Sequence, residues 1–260
     1  MDIKECASQH NPRTLNRRLT AIRQWHKLRG DTIKDPTQSP IVTKTMRGIA
    51  RLHGKPRRQA LALRLKELDQ ITKYLIEHES VINIRNRAII LVGFFGAFRR
   101  SELVALKWEH VEFVSDGMVI TLLRSKTDQS GEGQTCVIPF GNELRCPVRA
   151  LIDWRQASKL WNGFIFRRIS KTGTISSHGI TGVYVNMLIR DLVKAVGLPN
   201  ADQYSAHSLR RGFATEAARL GASMPAIQKH GRWRLIRTVV EYVEAGRRFE
   251  DSAVNVLFEF

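Results

Sequence analysis

The hydrophobic period of this chain changes once and then changes back, and that switch limits the architecture more than any other feature. Met118 to Leu123 and Thr135 to Pro139 alternate or run apolar around a Gly/Ser/Asp-rich loop at 127–133, the pattern of a β-hairpin. On either side, apolar residues return at three- and four-residue steps, as helices require. Leu15, Leu19, Ile22, Trp25 and Leu28 mark a helix over residues 12–29, with Thr14 as its candidate cap. Asp35-Pro36 and Ser39-Pro40 punctuate a loop before a second helix from Ile41 to Leu52. Helices are also expected at 66–79, at 84–97 (rich in Ile89, Ile90, Leu91, Val92 and Phe94) and from Pro147 onward. Breaks fall at the Ser/Gly-rich residues 169–178 and at Leu198-Pro199-Asn200. The expected class is mainly α with a small antiparallel β-sheet, an α+β arrangement. Gly54 to Gln59 reads as a linker dividing a helical module, residues 1–60, from a larger domain, residues 61–260.

Charge narrows the partners. The chain's 42 Lys+Arg against 24 Asp+Glu leave a formal net charge of +18 over 260 residues. Such a field attracts polyanions, so nucleic acid leads and an anionic membrane surface comes second. The first sixty residues are especially basic, and Arg17, Arg18, Arg47, Arg51, Lys55, Arg57 and Arg58 are the candidate DNA contacts there. The bland alternative is a solvated amphipathic helix face. No long apolar run and no basic-then-apolar leader is evident, so neither a membrane span nor a signal peptide is expected. Cys6, Cys136 and Cys146 lack metal-ligand spacing and fit reduced thiols in a cytoplasm. The expected location is cytoplasmic, at the nucleoid.

The candidate chemistry lies in scattered cationic residues. His207 and Arg210, three apart in a helical stretch, share one face. Gly231-Arg232-Trp233 follows, and Tyr242 stands nine residues beyond Trp233. Upstream, Gly96-Ala97-Phe98-Arg99-Arg100-Ser101-Glu102-Leu103 adds an arginine, and Lys126 lies at the end of the hairpin's first strand. Guanidinium forks suit phosphate oxygens, through charge-assisted and bidentate hydrogen bonds. No cluster of carboxylates stands out to hold a metal ion. Singly, each residue has an ordinary reading: Trp233 and Tyr242 as packed aromatics, His207 as a structural hydrogen-bonder, the cations as solvated surface charge, Glu102 as a weak ion-pair partner of Arg99.

In the order Arg…Lys…His-x-x-Arg…Trp…Tyr, with a Gly-x-x-Arg-x-x-Glu-Leu context for the first arginine, the chain resembles the tyrosine recombinase (phage integrase) family over residues 65–257, and more loosely over residues 1–60. The resemblance implies a catalytic domain of that family preceded by a DNA-clamping helical module, here shortened. It implies a site-specific recombinase that cuts and rejoins duplex DNA through a 3′-phosphotyrosine, without metal, ATP or other cofactor. Arg99, Arg210, His207 and Trp233 would then hold the phosphate, Lys126 would protonate the departing 5′ oxygen, and Tyr242 would attack. Glu102 would orient Arg99 without touching substrate. Arg100 and His230 are near-miss alternatives; the distance to Glu102 favours Arg99, and the nine-residue interval to Tyr242 favours Trp233. The implied assembly is a homotetramer on paired DNA sites, with accessory DNA-bending proteins as further partners. The apolar tail from Arg247 to Phe260 either docks on a neighbouring protomer, as the family's does, or folds back on its own core. Two rival functions remain: a catalytically silent DNA-binding relic, and relaxation of DNA by a type IB topoisomerase.

Overall fold

The most apolar helix of the sequence is also the one most deeply enclosed. In a computed structural model, which describes residues 5, 9–29, 35–55, 59–123, 133–170, 172–249 and 251–258, Val81–Phe95 is buried on all sides from Ala88 to Phe94. A helix apolar all round belongs in the interior of a larger domain. The chain divides into two compact units, Met1–Gln59 and Ala60–Phe260. Lys126, Arg57 and Arg58 lie outside the described residues.

In the first unit, α1 (Pro12–Arg29) and α2 (Pro40–His53) are joined through a 3-10 turn at Pro36–Gln38. The Arg13 amide donates to Asn11 Oδ1 at 3.0 Å, so the cap is Asn11 and Thr14 sits inside the first turn, a correction to the sequence reading. Proline at the first helical position explains the shift, since its missing N–H is one a helix start leaves unpaired anyway. Ser39 and Pro40 repeat the device for α2, with Ser39 Oγ accepting from the Ile41 amide at 3.3 Å. Among the described residues the unit's core is small: Leu15, Met46 and Ile49, flanked by Leu19 and Val42. Trp25 and Leu28, read as part of the apolar face of α1, are 51% and 87% exposed.

The second unit begins with α3 (Leu65–Glu77), α4 (Val81–Phe95) and α5 (Arg100–Ala105). A three-stranded antiparallel sheet follows in the order β1 (Val111–Val114), β2 (Gly117–Leu122), β3 (Gln134–Pro139). The period-two signal is fulfilled on its inner face, where Met118, Ile120, Leu122, Cys136 and Ile138 are all buried. Helix α6 (Pro147–Ser158) packs along α4, and its buried Trp154 donates to the Ile165 carbonyl at 2.8 Å. The Ser/Gly-rich break at 169–178 is a second hairpin, β4 (Arg167–Ile169) with β5 (Ile175–Gly179). It was illegible because its short strands carry Ser, His and Arg rather than an apolar alternation. Helices α7 (Gly182–Ala195), α8 (Ala206–Arg219), α9 (Met224–Gly231) and α10 (Ile236–Gly246) complete the unit. The apolar tail ends in a 3-10 turn, Ala253–Phe258, whose Val256, Leu257 and Phe258 are exposed. At the tail's start Arg247 donates to the Ala218 carbonyl at 3.0 Å, whereas no residue of Ala253–Phe258 is buried.

Candidate active site

The site is assembled where α4 ends. Its last carbonyls have no partner further along the helix and carry the negative end of its dipole. Gly96 closes the helix and Ala97 takes a left-handed conformation (φ 46°), fully buried. Three basic side chains converge on the carbonyls so exposed. His230 Nε2 meets the Phe95 carbonyl at 2.6 Å, Arg232 donates to Gly96 at 2.9 Å, and Arg210 donates to Ala97. The Cys136 thiol, on β3, also points at the Gly96 carbonyl, at 3.7 Å. Burial pushes that thiol up, so it stays protonated.

Arg99 precedes α5, and Glu102 reaches back to it. The Glu102 carboxylate accepts from the Arg99 amide at 2.9 Å and from the Arg99 guanidinium. It also accepts from Arg232 at 3.3 Å. Burial alone would raise the Glu102 carboxyl, but the Arg99 amide, the Arg232 charge and the Arg99 guanidinium together hold it below the usual carboxylate range. Arg99 donates further to the Arg232 carbonyl at 3.1 Å, and its side chain keeps 24% exposure. Arg100, the alternative, points away: its stem lies over Gly182 at the start of α7.

Arg210 is 3% exposed, on α8. Besides Ala97 it donates to the Gly231 carbonyl at 2.5 Å, and its guanidinium stacks 4.1 Å from the Trp233 ring centre. Burial, then the nearby charge of Arg99, pull its pKa down to about 9, with Arg232 adding repulsion. The Trp233 indole sits so close to Gly231 that a β-carbon there would fall 1.6 Å from the ring, so any larger residue would displace it. Its ring is 5.5 Å from that of Tyr242, which is 5% exposed on α10, with the Arg211 guanidinium 5.7 Å from the phenol ring. His207 stands in the first turn of α8, exposed, three residues before Arg210.

The structure thus gathers Arg99, Glu102, Arg210, Trp233 and Tyr242 into one cluster, with His207 a turn away on the Arg210 helix. His230 belongs to the packing, stacked on Phe213 at 4.6 Å. Burial lowers its pKa, so at neutral pH its ring is uncharged and donates Nε2–H to Phe95. Two residues escaped the sequence reading: Arg232 and Arg211. A signal for Arg232 existed, because an arginine stood just past a helix end where glycine or asparagine is usual, between two motif residues. The candidate DNA contacts Arg17, Arg18, Arg47, Arg51 and Lys55 are all exposed on the first unit.

Comparison with known proteins identifies the family and the fold. Residues 62–247 match the model of the phage integrase family. The integrase/recombinase xerD homolog of Selenomonas ruminantium is 32% identical over 260 residues, covering 98% of this chain and 75% of that protein. The chain belongs to the phage integrase family. It is a tyrosine recombinase by that membership, and recombinase cre of Escherichia phage P1 is a more distant relative, 24% identical over 89% of this chain and 70% of its own. Among solved structures, the Tn1549 transposon integrase in complex with circular intermediate DNA superposes with a TM-score of 0.66 at 18% identity, over 99% of this chain and 83% of that one. The XerH site-specific recombinase bound to palindromic difH substrate gives 0.63 at 19% identity, over 82% and 57%. These likenesses identify the fold. Among the described residues no helix is long and apolar enough to cross a membrane.

Proposed function

We propose that this recombinase cleaves and rejoins duplex DNA at specific sites, with Tyr242 as the nucleophile. The observation that supports it best is the charge imbalance of the cluster: Arg99 and Arg232 bond to its one carboxylate, Glu102, while Arg210 spends its donors on the Ala97 and Gly231 carbonyls, stacked on Trp233 beside a tyrosine. A phosphodiester is the anion that completes such a set. In the transition state charge grows on its two non-bridging oxygens, where fixed guanidiniums act most strongly in a dry site. Arg99 and Arg210 have N–H groups beyond those already engaged, and His207 and the Trp233 indole can add donors. The Tyr242 phenol oxygen bonds to phosphorus as the bond to the 5′ oxygen breaks. The phenol proton passes to a base, and Lys126 supplies one to the 5′ oxygen. The phosphotyrosyl ester conserves the energy of the broken bond, so the reverse step reseals DNA.

In the same reading, Arg17, Arg18, Arg47, Arg51, Lys55, Arg57 and Arg58 grip the DNA backbone, and residues 1–59 form the clamp for which this basic face is suited. The relatives and solved neighbours, which include recombinases bound to their DNA substrates, support this assignment. Four protomers on two paired sites, contacts between protomers through the exposed tail, help from DNA-bending proteins and a place at the nucleoid belong to the proposal as well. The test uses nicked suicide substrates built on a site recovered by affinity selection. Wild-type protein is expected to leave a denaturant-resistant protein–DNA adduct, absent with Tyr242→Phe. Tight site-specific binding with no adduct would replace the enzyme with the silent binder, and relaxation of supercoils without paired sites would favour the topoisomerase reading.

A further inference from the structure

Arg232 occupies a place that its own backbone makes costly. It follows the last residue of α9 with φ 57° and ψ 42°, a left-handed conformation that residues bearing a β-carbon avoid and glycine adopts freely. A long, charged side chain held there, at 3% side-chain exposure, needs a compensating role. The side chain makes four hydrogen bonds: to the His230 carbonyl at 2.7 Å, the Gly96 carbonyl at 2.9 Å, the Ala97 carbonyl at 3.3 Å and Glu102 Oε2 at 3.3 Å. Its guanidinium also lies 4.9 Å from the Phe98 ring centre.

Those bonds connect the two candidate phosphate-binding arginines. Glu102 Oε2, which Arg232 engages, is the atom that accepts from the Arg99 amide, and the Arg232 carbonyl accepts from the Arg99 guanidinium. The Ala97 carbonyl is shared between Arg232 and Arg210. The adjoining residues, Gly231 and Trp233, are the acceptor and the stacking platform for Arg210. Arg99 keeps 24% of its side chain exposed and so can meet a ligand, whereas Arg232 lies beneath it and cannot. We infer that Arg232 is a positioning residue for strand cleavage: it ties the turn bearing Trp233 to Glu102 and to the end of α4, and so fixes where the Arg99 and Arg210 guanidiniums point. This rests on the reading of the cluster as the phosphate site.

The mechanism is one of geometry. A fork that holds the Gly96 and Ala97 carbonyls and Glu102, besides the His230 carbonyl of its own turn, sets their separation, and misplacement of a catalytic group by about 1 Å costs on the order of a hundredfold in rate. Lysine at this position keeps the charge but has no planar fork to span Glu102 and the two carbonyls. Glycine removes the side chain while suiting the left-handed backbone, so Arg232→Gly relieves strain as it deletes the tie.

The test is single-turnover cleavage of a suicide substrate at saturating protein, beside DNA affinity and thermal melting, for the wild type, Arg232→Gly, Arg232→Lys, Arg99→Lys and the double variant Arg99→Lys/Arg232→Gly. Both Arg232 variants are expected to bind DNA within about threefold of wild type and to cleave about 10- to 100-fold more slowly. In the Arg99→Lys background the Arg232→Gly change is expected to cost less than about threefold, because its effect passes through the arginine already lost. Cleavage by Arg232→Gly within about threefold of wild type would overturn the inference. So would equal losses in both backgrounds, or a loss that merely follows the melting of the protein. Adduct formation by the wild type, absent with Tyr242→Phe, checks the underlying reading separately; if the wild type itself gives no adduct, that reading falls and takes this inference with it.

Discussion

Two sets of cations, one in each unit, carry positive charge in opposite ways. In residues 60–260, Arg210 and Arg232 are 3% and 7% exposed, set against helix-end carbonyls and one carboxylate; in residues 1–59, Arg17, Arg18, Arg47, Arg51 and Lys55 stand in solvent. Solvated charge costs the fold little, is screened by salt, and works at a distance. Buried charge costs several kcal/mol per ion, roughly, unless its partners are well placed. Arg210 registers that cost: its pKa, drawn down to about 9 by burial first, means the fold disfavours the charge it carries at neutral pH. A phosphodiester anion in contact with it would reverse the penalty. On the proposed function, the difference gives affinity to the first set of cations and bond-breaking to the second.

The sharpest way to break this division is to exchange the two kinds of loss. Arg210→Lys keeps a charge but cannot hold the Ala97 and Gly231 carbonyls together while stacking on Trp233. Its cleavage rate at saturating DNA is expected to fall by about 10²- to 10³-fold, the scale for losing one preorganised donor at a developing charge. Its DNA affinity is expected to change only a few-fold in a filter-binding or fluorescence titration. A comparable loss of affinity would mean that the buried arginines serve binding rather than chemistry.

The converse prediction concerns α2, where Arg47 and Arg51 stand one turn apart, exposed. The double change Arg47→Ala/Arg51→Ala is expected to weaken binding to all sequences and to reduce the slope of log affinity against log salt by about 0.9 for each phosphate that the variant no longer neutralises. Cleavage by fully bound protein is expected to stay at the wild-type rate. An unchanged salt slope would return this face to its bland reading as solvated surface.

How far the sequence disclosed these features follows from what each depends on. The helices of the first unit and the β2–β3 hairpin were legible because a hydrophobic period of three to four, or of two, leaves a local trace, whereas the short strand β1 was not read. Arg99, Glu102, His207, Arg210, Trp233 and Tyr242 were legible as a spaced pattern, although they lie on four segments that only tertiary packing brings together. The β4–β5 hairpin left no apolar alternation to detect. Arg232 was missed because its importance is conformational: its place just past a helix end was a faint signal, but the acceptors it holds at the end of α4 are far away in sequence. His230, next to the motif, differs from Trp233 in what surrounds it, the Phe213 ring and the Phe95 carbonyl, and neither is near it in sequence.

A third prediction sharpens the contrast in stability between the units. The core of the first is Leu15, Met46 and Ile49, while the second encloses whole helices. Leu15→Ala, at 2% exposure, is expected to cost about 2–5 kcal/mol. In so small a core that is enough to unfold the unit locally, and calorimetry or hydrogen exchange is expected to show it while the main melting transition of residues 60–260 does not move. A downward shift of that main transition by the full amount would make the two units a single cooperative body.

The smallest effect tests whether every base beside the site belongs to the charged set. His230 does not: burial, aided by the Arg232 and Arg210 charges and opposed by its bond to the Phe95 carbonyl, keeps its pKa below the ordinary histidine value. A base with a lowered folded-state pKa binds fewer protons folded than unfolded, so its contribution to stability is complete above about pH 6.5 and is lost as the pH falls from there through its folded pKa. Glu102, also lowered, contributes in the same direction at more acidic values, below about pH 4.3. As the pH falls below about 6.5, His230 is therefore expected to lower the melting temperature before Glu102 begins to titrate, while Glu67, whose carboxyl burial pushes up, acts in the opposite direction. His230→Gln retains an N–H for the Phe95 carbonyl but cannot take up a proton, and is expected to flatten that decline by a degree or two while leaving DNA affinity unchanged, roughly the scale of a fraction of a kcal/mol in a unit of this size. A decline that persists undiminished in the variant would mean that the His230 ring takes up its proton as readily folded as unfolded, and that the carbonyl and cations around it do not hold it neutral.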